Sequence, residues 1–190
     1  MANTNAPFGY RPVRHYTGGV IRMGEYAIAS GLGSNIFRGD PVKLTNTTNQ
    51  IDVAAAGDRL LGVFWGCEYT ATDGEQIFRA YWPTGTTVKS GTTVKAYVYD
   101  DPDIVFEAQM DGAFTDADIG TVADIDMGTA GSTLTGTSGA AVDTGTVSGS
   151  GSAQVLIIGR SRRVPNESAT YAVVDVLINE HYRKAAMTAI

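Results

Sequence analysis

The chain has 190 residues, enough for one domain with a substantial core, and 43% of them are hydrophobic while only 18% are charged. Its single cysteine, Cys67, excludes a disulfide within the chain, and its net charge of -6 disfavours general binding to nucleic acid. No apolar stretch approaches the length of a membrane span, so we expect no membrane partner.

Residues 1–19 are predicted to form an extended N-terminal arm. This segment contains no acidic side chain, and Pro7 and Pro12 disfavour a helix or a central strand. Two interpretations are open: the arm lies on the surface of a partner, or it packs back on its own domain. For the first interpretation, the expected anchors are aromatic and arginine side chains, which dominate interface energetics. These candidate anchors are Phe8, Tyr10, Arg11, Arg14 and Tyr16.

Residues 20–190 are predicted to form a single β-rich domain of the all-β class, mainly antiparallel, with the architecture of a compact β-barrel or sandwich. The evidence is an alternation of apolar and polar side chains and short aliphatic runs. The Asp73-Gly74 pair indicates a hairpin turn between two of the strands. Only two short helical turns are expected, one capped by Thr115 and one over 181–189. The predicted strands are 60–65, 76–82, 94–99, 104–110, 155–158 and 171–178.

Residues 127–153 differ from their surroundings because they are almost entirely Gly, Ser, Thr, Ala and Val. Such a composition is typical of a flexible linker or of short polar edge strands. Leu134, Val142 and Val147 are too widely spaced to predict a strong core contribution. We therefore expect a partly ordered excursion that becomes structured against neighbouring molecules.

Charge is divided unevenly along the chain. Residues 96–159 contain ten acidic side chains and no Lys or Arg, and we expect most of these acids to face solvent or the basic groups of a neighbour, and not a metal. Immediately afterwards come Arg160, Arg162 and Arg163. They are interpreted either as a solvated strand end or as intersubunit charge contacts with carboxylates.

The sequence contains no catalytic or metal-binding pattern. The two histidines, His15 and His181, are far apart in the sequence and have no paired cysteine, so no zinc pattern exists. The acidic residues lack the spacing of a calcium loop, and no nucleotide-binding or nucleophile motif occurs. We therefore predict no enzymatic activity, no catalytic residue, no cofactor and no metal site.

Four stretches carry a family resemblance: NAPFGYRPVRHYTGG at 5–19, GDPVKL at 39–44, AYVYDDPDIVFEAQMDG at 96–112, and the block at 155–180. With these stretches, the chain resembles head-decoration (cement) proteins of tailed bacteriophages. The resemblance implies a structural protein, made in the host bacterial cytoplasm, that binds the major capsid protein on the outer surface of the virion. It would stabilise the shell against packaged DNA. It implies no catalytic residues.

Two further hypotheses concern other structural or binding roles. One is a phage tail or baseplate component. The other is a carbohydrate-binding β-module in which Trp65, Trp82, Tyr97 and Tyr99 stack on sugars, although burial in the core is expected for both tryptophans.

On the capsid, we expect a homo-oligomer, most simply a trimer. Closed symmetry is the usual outcome of contacts between identical chains. Neighbouring copies would then cover the excursion and complement the divided charge.

Overall fold

A computed structural model of the protein describes residues 3–45 and 49–184. Apart from two 3₁₀ turns at Asp116–Asp118 and Thr144–Thr146, the regular elements of these residues are strands, and each of the predicted strands overlaps an observed one. The strands are β1 (Arg11–His15), β2 (Gly24–Tyr26), β3 (Pro41–Leu44), β4 (Ile51–Val53), β5 (Gly62–Thr70), β6 (Gln76–Arg79), β7 (Lys95–Tyr99), β8 (Ile104–Gln109), β9 (Val122–Ala123), β10 (Ile125–Asp126), β11 (Ala141–Val142), β12 (Val155–Arg160) and β13 (Val173–Ile178).

The strands form two main antiparallel sheets. The first sheet has the order β1-β8-β13-β12-β9, and the second has the order β2-β7-β5-β3-β4, with β6 also paired to β5. Strands β10 and β11 form a separate pair. The prediction of an all-β, antiparallel fold is therefore confirmed. None of the described segments is a helix with the length and hydropathy that crossing a bilayer requires.

The core of the first sheet follows from alternation along its central strands. Phe106 and Ala108 of β8 and Val174 and Val176 of β13 are completely buried, while Glu107 between them lies on the opposite face. Side chains of alternating residues point to opposite faces of a sheet, so one apolar face is covered and the other remains accessible. Each such aliphatic or aromatic side chain contributes about 1.5–3 kcal/mol through its removal from water.

The second sheet has its own hydrophobic cluster. Phe64, Trp82 and Val98 are completely buried there, together with Cys67. Burial raises the pKa of the Cys67 thiol to about 12. The thiol is therefore protonated at neutral pH, and Cys67 packs as a small core residue.

The Gly/Ser/Thr-rich excursion packs onto its own chain. Ala140, Ala141 and Val142 are buried, and β11 pairs with β10 through Ile125 and Val142. The expectation that this region adds little to the core is wrong for these residues, because small side chains let the backbone approach the first sheet closely. Leu134, in contrast, is 93% exposed.

The two predicted helical turns have different outcomes. A 3₁₀ turn follows Thr115, whose backbone N–H donates a 2.7 Å hydrogen bond to Asp118 Oδ2. Near the C-terminus, residues 181–184 form a bridge and turn, and residues 185–189 lie outside the described part of the chain.

The N-terminal segment is threaded into the domain. Tyr10 is only 2% exposed, its backbone N–H donates to Gly39 O at 2.9 Å, and its hydroxyl donates to Ala141 O at 2.9 Å. Strand β1 then pairs with β8 at the edge of the first sheet, where Pro12 is tolerated because an edge strand leaves one row of N–H groups unpaired. Residues 8–15 are thus part of the folded domain, which was predicted from the sequence to comprise residues 20–190 only.

Gly9 makes this threading possible, which gives a first testable prediction. Its φ is +74°, and a Cβ at this position would lie 2.5 Å from the Cβ of Ser138. We expect Gly9→Ala to lower the free energy of unfolding by about 3 kcal/mol, from overpacking and from the unfavourable φ. Urea unfolding measures this.

Gly18 offers the matched control. It has a similar φ of +83°, but no heavy atom lies within 4 Å of the position that a Cβ would take. Gly18→Ala is expected to cost only about 1 kcal/mol. Equal losses in the two variants would show that Gly9 does not pack against Ser138.

Candidate functional site

A groove of about 570 Å³ lies on the accessible face of the first sheet. We call it the arginine groove. Glu107 of β8 and Asp175 of β13 lie side by side in register on this face, between β1 on one side and β12 on the other. Four arginines and these two acids supply its charged lining: Arg14, Arg160, Arg162, Arg163, Glu107 and Asp175.

The sheet order assembles this groove from segments that are distant in the sequence. Arg14 lies in β1 and Arg160 is the last residue of β12, but β8 and β13 are the only strands between them. The predicted arm and the predicted basic cluster therefore contribute to one surface. The sequence-based prediction described them as two separate sites.

The ion pairs within the groove are long. Arg14 Nη2 lies 3.9 Å from Asp175 Oδ2, and Arg163 Nη1 lies 3.9 Å from Glu107 Oε2. A hydrogen-bonded arginine–carboxylate pair has N···O distances of about 2.7–2.9 Å, so these contacts do not engage the guanidinium donors fully. Pairs of this kind contribute about 0–1 kcal/mol each. The arginines can consequently exchange these contacts for carboxylates of a partner at little cost.

The two acids in the groove are held by their surroundings. Ser161 Oγ donates a hydrogen bond to Glu107 Oε1, which fixes the start of the arginine-rich loop against β8. Burial raises the pKa of Asp175, and Glu107 acts in the same direction, while Arg14 and Arg162 oppose them. The arginines thus offset the mutual repulsion of the two neighbouring carboxylates. Because four arginines face two acids, the groove keeps a net positive charge that can attract an anionic group.

The five predicted arm anchors have different surroundings. The ring of Phe8 is half-buried and lies 4.3 Å from the Arg11 guanidinium and 5.2 Å from that of Arg163. Arg11, Arg14 and Tyr16 are exposed, whereas Tyr10 is a core residue. Tyr10 is therefore corrected from a surface anchor to part of the fold, because its ring fills space beside the first sheet.

Besides the predicted anchor Tyr16, three exposed apolar side chains lie in and after β1 that sequence reasoning missed: Val13, Val20 and Met23. Val13 lines the arginine groove, and the chain then continues through Tyr16, which is 59% exposed, and Val20, which is 74% exposed. Met23 is exposed as well. Several exposed apolar side chains in one segment make that segment a candidate interaction surface. No periodicity marks these residues, so only the structure distinguishes them from core residues.

The acids of residues 96–159 are used within the chain. Five accept hydrogen bonds from backbone N–H groups in turns: Asp111 from Thr144, Asp118 from Thr115, Asp124 from Gln154, Asp126 from Gly128 and Asp143 from Gly145. The other five contact basic side chains outside the section: Asp100 with Arg183, Asp101 with His15, Asp103 with Lys184, Glu107 with Arg163 and Asp116 with Arg160. The expectation that most of them face solvent or a neighbour overlooked this internal pairing.

A second concavity, the aromatic pocket, has a volume of about 380 Å³ and includes Phe8, Arg38, Trp65 and Tyr99 in its lining. The Arg38 guanidinium lies 5.0 Å from the centre of the Trp65 ring and donates a 2.9 Å hydrogen bond to Trp65 O. Trp65 is half-buried and lines this pocket, so it is not fully enclosed in the core as expected.

The other tryptophan and its predicted partners lie elsewhere. Trp82 is completely buried, as expected, and cannot contact a sugar. Tyr97 lies with Phe78 beside Trp65, at ring-centre distances of 6.2 Å and 5.5 Å from it. The three rings are tilted relative to one another and do not form a flat platform.

Comparisons of this chain with protein-family models, with curated proteins and with solved structures find no match. The resemblance to head-decoration proteins therefore stays a prediction. The surface chemistry of the groove and of the segment after β1 is therefore the basis for a functional proposal.

Proposed function

We propose that the protein is a non-enzymatic structural protein that binds the outside of a tailed-phage capsid and stabilises it. The observation that carries the proposal is the junction of the arginine groove with the exposed apolar side chains in and after β1. Val13 lines the groove beside the guanidinium donors, and the exposed Tyr16 and Val20 follow it in the chain, which suits a protein partner that presents carboxylates beside apolar groups. The major capsid protein is the partner that the resemblance implies.

Arginine recognition also suits a decoration protein energetically. Each contact can be modest, because many copies bind one repetitive shell and together resist its expansion. The overall charge of -6 disfavours attachment to nucleic acid, so the groove is assigned to carboxylates and not to phosphates.

The test is binding of purified protein to capsids that lack it, measured by co-sedimentation. Arg162 is exposed and lines the groove, so reversing its charge perturbs the groove without removing a core contact. We expect Arg162→Glu to weaken attachment about tenfold, the effect of about 1.4 kcal/mol per copy. Added salt should weaken attachment of the unmodified protein as well.

Lys89→Glu is the matched control. Lys89 is exposed and is not among the residues that line the groove, and its substitution makes the same change in net charge. It should leave attachment unchanged. Equal weakening by both substitutions would indicate a general charge effect, and binding unaffected by Arg162→Glu would refute the groove as the docking surface.

We further propose that the bound protein forms trimers around local threefold axes. Closed rings satisfy the contacts of every copy. Cryo-EM of decorated capsids should show three copies in mutual contact, and isolated single copies would contradict this. Density on the tail or baseplate instead of the head would favour the related hypothesis of a tail component.

The aromatic pocket supports one alternative, a carbohydrate-binding module. Trp65 and Tyr99 line a concavity that also contains Arg38, and aromatic faces beside a polar group are suited to sugars. Retention on glycan resins that is lost in Trp65→Ala would favour this function. Retention on capsids that persists in Trp65→Ala would favour the capsid-binding function.

A further inference from the structure

We propose that His15, Asp101 and Asp103 form a binding site for a divalent transition-metal ion, with zinc as the best-suited metal. The sequence predicted no metal site because its histidines are isolated. In the described residues, this is the one group of three or more His, Cys, Asp or Glu side chains whose potential ligand atoms converge, all within 4.8 Å of one another. The proposal is independent of capsid binding.

Backbone pairing brings the three residues together. His15 is the last residue of β1 and lies opposite Ile104, the first residue of β8. Asp101 and Asp103 lie in the turn that leads into β8, and the N–H of Tyr16 donates a 2.7 Å hydrogen bond to Asp103 O. Sheet register therefore sets the position of His15 relative to Ile104, and the hydrogen bond from Tyr16 ties the adjoining turn to β1, which favours preorganisation.

The imidazole of His15 is held in place on several sides. Its Nε2 lies 3.2 Å from Asp101 Oδ2, and its Nδ1 lies 3.0 Å from the Thr17 hydroxyl. A Cβ on Gly19 would be only 3.0 Å from the ring, so the backbone there packs directly over it. A hydrogen bond to the second ring nitrogen is the usual device that orients a metal-binding histidine. Without a metal, Nε2–H donates to the Asp101 carboxylate, which can only accept. Metal binding would displace this proton, and Nδ1–H would then donate to the Thr17 hydroxyl.

The carboxylates are similarly prepared. Asp101 Oδ1 accepts a 2.9 Å hydrogen bond from the Asp103 N–H, which leaves Oδ2 directed at His15. Ligand atoms around a tetrahedral zinc are about 3.4 Å apart, given metal–ligand distances near 2.1 Å. The His15–Asp101 spacing already matches this value, and Asp103 needs only a small side-chain movement.

The ligand set determines the class of ion. One imidazole with two carboxylates favours Zn²⁺ and related transition metals, whereas Ca²⁺ and Mg²⁺ prefer more oxygen ligands. Water would complete the coordination, since His15 is nearly buried while both aspartates are partly exposed. A bound ion would join the end of β1 to the turn between β7 and β8 and so fix the segment that carries Tyr16 and Val20.

Lys184 provides a specific test of this geometry. Its Nζ lies 3.6 Å from Asp103 Oδ1 and would repel an approaching cation. Removing the ammonium group in Lys184→Ala should therefore tighten zinc binding, by about fivefold from the charge alone. A zinc ion bound elsewhere on the protein would lie far from this ammonium group, and Lys184→Ala would then leave zinc affinity nearly unchanged.

The experiment is isothermal titration of the full chain, without an affinity tag, with Zn²⁺ alone. His15→Gln retains a polar side chain beside Asp101 but removes the imidazole, and it should weaken binding at least about tenfold. Asp103→Asn removes the charge of the second carboxylate ligand and should also weaken zinc binding. Glu75→Gln makes the same change in charge at an exposed position and is its control. Cobalt substitution supplies an independent readout, since its visible spectrum reports a histidine ligand in a tetrahedral or five-coordinate site.

Three results would overturn the proposal. They are equal zinc affinity in the unmodified protein and His15→Gln, no tightening in Lys184→Ala, and Ca²⁺ or Mg²⁺ binding as tightly as Zn²⁺. Circular dichroism of each variant establishes that it is folded. If His15→Gln fails to fold, zinc titration of Asp103→Asn and Lys184→Ala tests the same site. Both of these side chains are partly exposed at the edge of the site, so their substitution should not disturb folding.

Discussion

Replacing Tyr10 with alanine is expected to lower the free energy of unfolding by about 4 kcal/mol, the typical cost of removing a buried aromatic side chain. Tyr10 is almost fully buried in the hydrophobic cluster of the first sheet, and its hydroxyl satisfies the carbonyl of Ala141. The loss combines an unfilled cavity with an unpaired buried carbonyl group. Chemical unfolding monitored by tryptophan fluorescence measures it.

Two further substitutions separate the contributions. Tyr10→Phe keeps the ring and removes only the hydrogen bond, so we expect a loss of about 1 kcal/mol. Tyr16→Ala, at an exposed position six residues later, should change stability by less than about 0.5 kcal/mol. If Tyr10→Ala were as mild as Tyr16→Ala, the N-terminal segment would not belong to the folded core.

The same reasoning applies to deletion of residues 1–19. That deletion removes Tyr10 together with β1, so it exposes the edge of β8 and opens the core. Point substitutions at Arg11, Arg14 and Tyr16 are therefore the appropriate way to test the capsid-binding role of the arm, because these side chains are exposed.

Between pH 4 and pH 7.5, the ionisation of Asp40 is expected to lower the free energy of unfolding by about 3 kcal/mol, and Asp40→Asn should abolish this loss. Asp40 is 2% exposed and accepts a 2.7 Å hydrogen bond from the Phe37 N–H. Burial raises the pKa of this carboxyl from 3.8 to about 6, although the hydrogen bonds from Ser138 and from Phe37 N–H oppose the rise. Each unit of such a shift corresponds to about 1.4 kcal/mol.

The sign follows from the proton affinity of the two states. The folded state binds the Asp40 proton more tightly than the unfolded state does, so stability falls as the pH rises from about 3.8 to about 6. Asparagine carries no charge, so the variant should gain stability relative to the unmodified protein over this range. Subtracting the two curves removes the contribution of other groups, such as His181, whose pKa is lowered by burial.

Asp58→Asn supplies a comparison with the opposite sign. Partial burial raises the pKa of Asp58, but the hydrogen bonds from Lys43 and from the Ala55 N–H lower it more. Its favourable contribution is present above the unfolded pKa and is lost as the pH falls. Difference curves for the two variants that slope in the same direction would contradict the assignment for Asp40.

Local patterns in the sequence were sufficient to predict the strands and the fold class. Phe106 and Ala108 flank the polar Glu107, Val174 and Val176 flank the polar Asp175, and the structure places these four apolar side chains in one hydrophobic cluster. Asp73-Gly74 marks the turn between β5 and β6. These features depend on backbone geometry and on the two-residue period of a strand, both of which operate between near neighbours in the chain.

Only the tertiary structure decided which distant residues meet. It placed Arg14 beside Asp175 in one groove with Arg162, His15 against Asp101, and Val142 in the core. These contacts follow from the order and register of strands that lie far apart in the sequence, which no local periodicity specifies. The sequence by itself therefore determined that the chain forms antiparallel sheets, while the sheet order determined where its arginines and potential metal ligands converge.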